Sequence, residues 1–169
     1  MNILLVDGYN IIGAWPELQA LKQDNLEHAR DLLVEKMSEY QAYTGFQVII
    51  VFDAHLVKGI EKKLKSSRVE IIFTRENETA DERIEKLVKT MLSVKNKIYV
   101  ATSDYTEQWT IFSQGALRKS ARELLIEMET IEEGIKRRVK KTQENRPYSK
   151  IKLSEDVAAQ FEKWRRGNL

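Results

Sequence analysis

Four apolar runs, at residues 2–6, 48–52, 69–73 and 98–101, show no regular alternation of polar and apolar side chains. A strand with one face in water alternates; a strand covered on both faces does not. Helical patterns separate these runs. Leu26, Leu33 and Met37 recur at helical spacing and predict a helix over 25–43, stopped near Gly45. Ile84, Leu87, Val88 and Met91 form one stripe of a helix over 80–93. A short helix is expected around 105–113. A long one follows, with Ala121, Leu124, Leu125, Met128, Ile131, Ile135 and Val139 at spacings of three and four. Ser154 reads as the N-cap of a last helix ending near Gly167. Buried strands separated by helices specify an α/β fold with a mostly parallel central sheet covered on both faces.

Three of the runs end in an acid. Asp7, Asp53 and Asp104 each lie just past the last apolar residue of a strand, so parallel strands bring all three to one rim. In open parallel sheets that rim, at the carboxyl ends, is where ligands bind. A fourth acid comes from a helix. Thr79 and Glu82 fit a capping box, which puts Asp81 in the first helical turn. At ~100° per residue, Asp81 falls within about 70° of the centre of the apolar stripe and Glu82 near the opposite side. Converging carboxylates repel one another and raise each other's pKa. A hard divalent cation such as Mg²⁺ relieves this, because carboxylate oxygens are its preferred ligands. It can also direct a water at a phosphodiester. Asn10 adds an amide able to hold a carboxylate, a coordinated water or a substrate phosphate. Gly8 is read as the point where the backbone turns sharply off the strand. The competing readings are ordinary ones: Asp53 as a turn former, Asp81 as a complement to the helix dipole, Asp104 as a helix cap.

The 169 residues, 42% of them hydrophobic, suffice for one domain with a real core. There is no cysteine, which excludes disulfides and thiolate metal sites. The first apolar run meets Asp7 too soon for the ~7–15-residue core of a signal peptide. No stretch approaches the ~18 apolar residues of a membrane span, so a cytoplasmic protein without a membrane partner is expected. His28 and His55 do not form a recognised ligand pair; no phosphate-binding glycine loop and no G-x-S-x-G are present, and no organic cofactor is expected.

Taken in order, LLVDGYNIIGAW, VIIVFDAH, FTRENETADERIE, VATSDYTEQ and GALRKSARELL resemble the YacP branch of the NYN family, PIN-like metal-dependent ribonucleases. The resemblance covers nearly the whole chain. It implies a PIN-like three-layer α/β/α sandwich with a central mostly parallel sheet and added C-terminal helices. It implies a nuclease domain over 1–145 and a basic extension over 146–169, with a short helix packed on the same domain. The family's acidic site maps onto Asp7, Asn10, Asp53, Asp81 and Asp104 as catalytic residues. Asp7, Asp81 and Asp104 would hold Mg²⁺ or Mn²⁺, with Asp53 as a further ligand or an orienter of water. Thr79 and Ser103 would support them. The resemblance further implies an endoribonuclease of single-stranded RNA, acting on mRNA in translating ribosomes.

Net charge is only +2, but it is unevenly spread. Residues 1–57 hold 3 Lys/Arg against 8 Asp/Glu, while residues 58–75 hold 6 against 2 and residues 108–169 hold 14 against 9. An acidic part beside basic parts suits a protein that gathers cations in one place and a polyanion in another. Candidate contacts to RNA or ribosome are Lys58, Lys62, Lys63, Lys65 and Arg68 in one zone, and Lys136, Arg137, Arg138, Lys140 and Lys141 at the end of the long helix. Arg165 and Arg166 lie near the last residues. Trp15, Tyr105, Trp109 and Trp164 are candidate stacking platforms for unpaired bases. The leading function is a Mg²⁺-dependent endoribonuclease. A second class is a non-catalytic ribosome- or RNA-binding protein whose acids hold a structural ion. A third is a phosphoacceptor domain, which Gly8 disfavours because paired acids usually follow the first strand of such domains.

Overall fold

The computed structural model describes residues 1–54, 68–104, 110–112, 114–152 and 165. β1 (Asn2–Asp7) leads straight into α1 (Gly8–Ala14), α2 (Pro16–Asp24) and α3 (Leu26–Thr44). Then come β2 (Gln47–Phe52), β3 (Glu70–Phe73), α4 (Ala80–Met91), β4 (Lys97–Ala101), β5 (Leu117–Lys119) and α5 (Ala121–Lys152). The five strands make one all-parallel sheet in the order β3-β2-β1-β4-β5. The chain forms two compact units, Met1–Met128 and Glu129–Leu169. The first contains the sheet and its core.

The strands carry apolar residues on both faces because both faces are covered. Ile3 and Leu5 of β1, Ile49 and Val51 of β2, and Ile98 and Val100 of β4 pack against Ala80, Ile84 and Val88 of α4. The alternate residues Leu4, Val6, Val48, Ile50 and Phe52 are equally buried, on the face that α1 and α3 cover. Each such aliphatic side chain removed from water contributes about 1.5–3 kcal/mol, so the central strands are where stability concentrates. α3 is set at both ends: the Asn25 side chain accepts from the Glu27 and His28 amides, and Gly45 takes the left-handed conformation (φ 77°) that closes a helix at its C-terminus.

Three features differ from the sequence reading. Residues 8–24 are helical, and Gly8 opens α1 rather than forming a sharp turn. What Gly8 supplies is space: a Cβ there would overlap the Phe52 ring. β5 forms as a three-residue edge strand beside β4. Finally, α5 continues to Lys152, so Lys136, Arg137, Arg138, Lys140 and Lys141 lie along its exposed middle and not at its end. Their charge is therefore not explained by the helix dipole, which acts only in the terminal turns. The helix around 105–113 is described only at 110–112, and the last helix after Ser154 lies outside the described residues. No helix among the described residues is long and apolar enough to cross a membrane.

Candidate functional site

Strand order sets the site. The chain moves outward from β1 through β2 to β3, then returns to the other side of β1 with β4. The reversal lies between β1 and β4, and a crevice opens there at the carboxyl ends. Asp7 ends β1 and is 7% exposed; its register partner on β2 is Val51, and Val6 beside it pairs with Ala101 of β4. Asp53 and Asp104 follow β2 and β4 on either side, and both are half-buried. Alternation puts Asp7 on the sheet face shared with Ile3 and Leu5, the face that α4 covers. The crossover from β3 runs α4 back along the sheet, so its first turn stands at the same rim. Thr79 caps it, accepting the Glu82 amide at 3.2 Å. Asp81 in that turn is half-buried and Glu82 exposed.

Asn10 reaches across to the end of β4. Its Oδ1 accepts from the Ser103 amide at 2.6 Å and from the Ser103 hydroxyl at 2.7 Å. With both lone pairs of Oδ1 engaged, the amide nitrogen is the end of Asn10 suited to donate to a substrate oxygen. The loop that carries Asp104 is pinned further: Thr102 is fully buried, its hydroxyl accepts the Asp104 amide at 3.1 Å, and its own amide donates to Lys119 O at 3.2 Å. On the other flank the Ala54 amide, next to Asp53, donates to the hydroxyl of buried Thr74 at 3.0 Å. Short polar side chains thus hold the backbone on both sides of Asp7.

The donor chemistry fits a hard divalent cation: carboxylates, an amide and hydroxyls gather at one rim. Among the described residues no three His, Asp or Glu side chains stand within reach of a single ion. Asp7, Asp81 and Asp104 therefore share the rim without forming a closed ligand cage.

Two buried groups beside the rim escaped the sequence reading. Arg30 of α3 is buried and donates to the Tyr9 hydroxyl at 2.8 Å. Burial pushes the Tyr9 phenol above its ordinary pKa; Arg30 opposes the shift and the Asp53 charge adds to it. Glu78, just before the Thr79 cap, is buried and accepts from Arg83 and Lys86, each at 2.7 Å. Lys86 and Arg83 at successive turns after an acid were the available signal. Hydrogen bonds first from Lys86 and then from Arg83 hold the Glu78 carboxyl down at about 2. Since the folded value is depressed, the stabilisation is present above the unfolded value of 4.5 and is lost as pH falls toward 2. The stability difference between the native chain and Glu78→Gln is expected to shrink across that range in urea titrations. A difference constant in pH rules the arrangement out.

Of the other candidates, Trp15 is not a stacking platform. It is 1% exposed, and its indole N–H donates to Ala121 O at 2.8 Å. Arg68 is exposed, whereas Lys58, Lys62, Lys63, Lys65, Tyr105, Trp109, Trp164 and Arg166 lie outside the described residues. Arg165 is exposed, and Arg137 pairs with Glu133 at 3.8 Å.

A family model for the YacP-like NYN domain matches residues 4–166. Protein YacP of Bacillus subtilis (strain 168) is 66% identical over 169 residues, covering 100% of this chain and 99% of that protein. The crystal structure of Rae1 (YacP) from Bacillus subtilis superposes with a TM-score of 0.80 at 66% identity, over 100% of this chain and 97% of that one. The crystal structure of its W164L mutant gives 0.75 at 61% identity, over 99% and 97%.

Proposed function

The chain belongs to the family of YacP-like NYN domains, and from that membership we propose a metal-dependent endoribonuclease that hydrolyses single-stranded RNA, with mRNA on translating ribosomes as its substrate and the cytoplasm as its place of work. The NYN domain has a nuclease-type fold. The observation that carries the reading is the placement of Asp7, Asp53 and Asp104 at the carboxyl ends of three adjacent parallel strands, at the reversal of strand order.

In this reading Asp7, Asp81 and Asp104 would hold Mg²⁺ or Mn²⁺, and Asp53 would complete the site as a further ligand or an orienter of water. When bound, the cation polarises the phosphodiester and lowers the pKa of an attacking water. The chain's own groups do the rest. The Asn10 amide nitrogen donates to a phosphate oxygen while Ser103 keeps its side chain in place. Thr79 fixes the turn that presents Asp81. Lys58, Lys62, Lys63, Lys65 and Arg68 would clamp RNA. Lys136, Arg137, Arg138, Lys140, Lys141, Arg165 and Arg166 supply charge for RNA or ribosome. Positioning has a measurable scale, since a displacement of ~1 Å can cost ~10²-fold. Asn10→Ala is expected to slow cleavage by about that factor. Ser103→Ala, which removes one of two donors and keeps the backbone amide, should cost only severalfold. Equal losses would show that Ser103 does more than hold Asn10.

The decisive experiment maps mRNA ends in a purified translation reaction with Mg²⁺. Cuts that require active translation establish a ribosome-dependent nuclease. Cuts without ribosomes keep the nuclease and remove the ribosome. Sedimentation with ribosomes and no cuts leaves a binding protein with a structural acidic rim.

A further inference from the structure

On the β4–β5 side of the rim lies an open groove of about 470 Å³, whose lining includes Pro16, Ser103, Arg118, Ser120, Arg122 and Leu125. None of its cations belongs to the basic runs that stand out in the sequence. Ser103 is common to groove and rim: it is the residue Asn10 holds, and Asp104 follows it. The groove therefore adjoins the rim at Ser103, within one residue of Asp104. Arg118, at the exposed edge of β5, and Arg122, in the exposed first turn of α5, present guanidinium groups there. Planar guanidinium matches phosphate with paired hydrogen bonds. The Ser120 hydroxyl accepts the Glu123 amide at 3.1 Å and keeps its own proton to donate. Pro16 and Leu125 add apolar surface for a ribose or base.

The walls are fixed in advance. Trp15 ties the α1–α2 junction to the start of α5 through Ala121 O, and Thr102 ties the end of β4 to Lys119 of β5. A preformed site lowers the ordering cost of binding. We propose that this groove is a phosphate subsite for single-stranded RNA, in which Arg118 and Arg122 each hold a backbone phosphate next to the scissile one. The proposal rests on the nuclease reading. RNA is favoured over an acidic peptide because one continuous polyanion fills both groove and rim.

The test titrates the full chain with a short fluorescein-labelled oligouridylate in EDTA over a range of salt. The variants are Arg118→Gln, Arg122→Gln, the pair, and Asp7→Asn, each checked by thermal melting. Each lost phosphate contact should lower the slope of log affinity against log salt by about 0.7, and the pair should weaken low-salt binding roughly 10-fold or more. Asp7→Asn should bind at least as tightly as the native chain. If Arg118→Gln loosens the fold, Arg122→Gln alone decides. Unchanged slopes overturn the subsite, as does a native chain that does not retain the oligomer or prefers an acidic peptide. The two readings fail separately. Arginine variants that bind normally beside an Asp7→Asn that no longer cuts remove the subsite alone. Arginine variants that lose binding beside a native chain that cuts no RNA remove the nuclease reading alone, and beside an Asp7→Asn that cuts normally they remove the rim as its catalytic centre.

Discussion

Asp7→Asn is expected to leave the chain folded and to lower RNA cleavage by about 10²-fold or more, the scale on which removal of one preorganised electrostatic group is felt. Asp7 ends the central strand, is 7% exposed, and has an acid-bearing strand end on each side. Asparagine keeps its volume, removes the charge and exchanges one acceptor oxygen for an N–H donor. With one fewer carboxylate at the rim, repulsion among the remaining acids falls, so melting should not drop. The measurement pairs the cleavage rate with the melting temperature. Native-like cleavage by a folded Asp7→Asn refutes the rim as the catalytic centre.

Gly8→Ala should lower stability by about 1–3 kcal/mol, the usual range for overpacking a filled core. The new Cβ would overlap the Phe52 ring, which packs among other aromatic rings. It is fully buried, with the Tyr9 ring at 5.1 Å and the Phe73 ring at 6.0 Å. In a domain of this size 1 kcal/mol corresponds to about 2–4 °C of melting temperature, so a loss of several degrees is the readout. Phe52→Leu in the same chain should recover part of it. A Gly8→Ala protein that melts like the native one contradicts this close approach.

The sequence reading was strongest where one physical cause dominated. β1, β2 and β4 stand out because they are buried on both faces, and α3 because Asn25 and Gly45 mark its ends. α4 was legible from Ile84 and Val88, which stay buried against the sheet. α1 and α2 were not. α1 is seven residues long, starts with one glycine and contains another, while α2 buries only Leu18, too little to draw a stripe. Pro16 at the first helical position of α2 was the one usable signal. β5 is Leu117-Arg118-Lys119, which reads as a loop. It is a strand because β4 offers an edge and because the Lys119 ammonium settles beside the Phe46 and Tyr99 rings and pairs with Glu127. At the site, the alignment of strand-end acids followed from topology. The Asn10–Ser103 contact joins residues far apart in the chain, so no local pattern announces it.

The sheet order also has a consequence for how the protein is made. β1 occupies the middle of the sheet, yet one neighbour is synthesised only at Gln47–Phe52 and the other only at Lys97–Ala101. At about 5–20 residues per second, the nascent chain carries a long-exposed apolar segment for several seconds before its second edge is sealed. Asp104 emerges later still. Asp7 and Asp104 come to the same rim only after β4 has docked, so a translation product truncated before Asp104 lacks the full set of strand-end acids. Synthesis through β4, rather than of β1, therefore sets when the site can form.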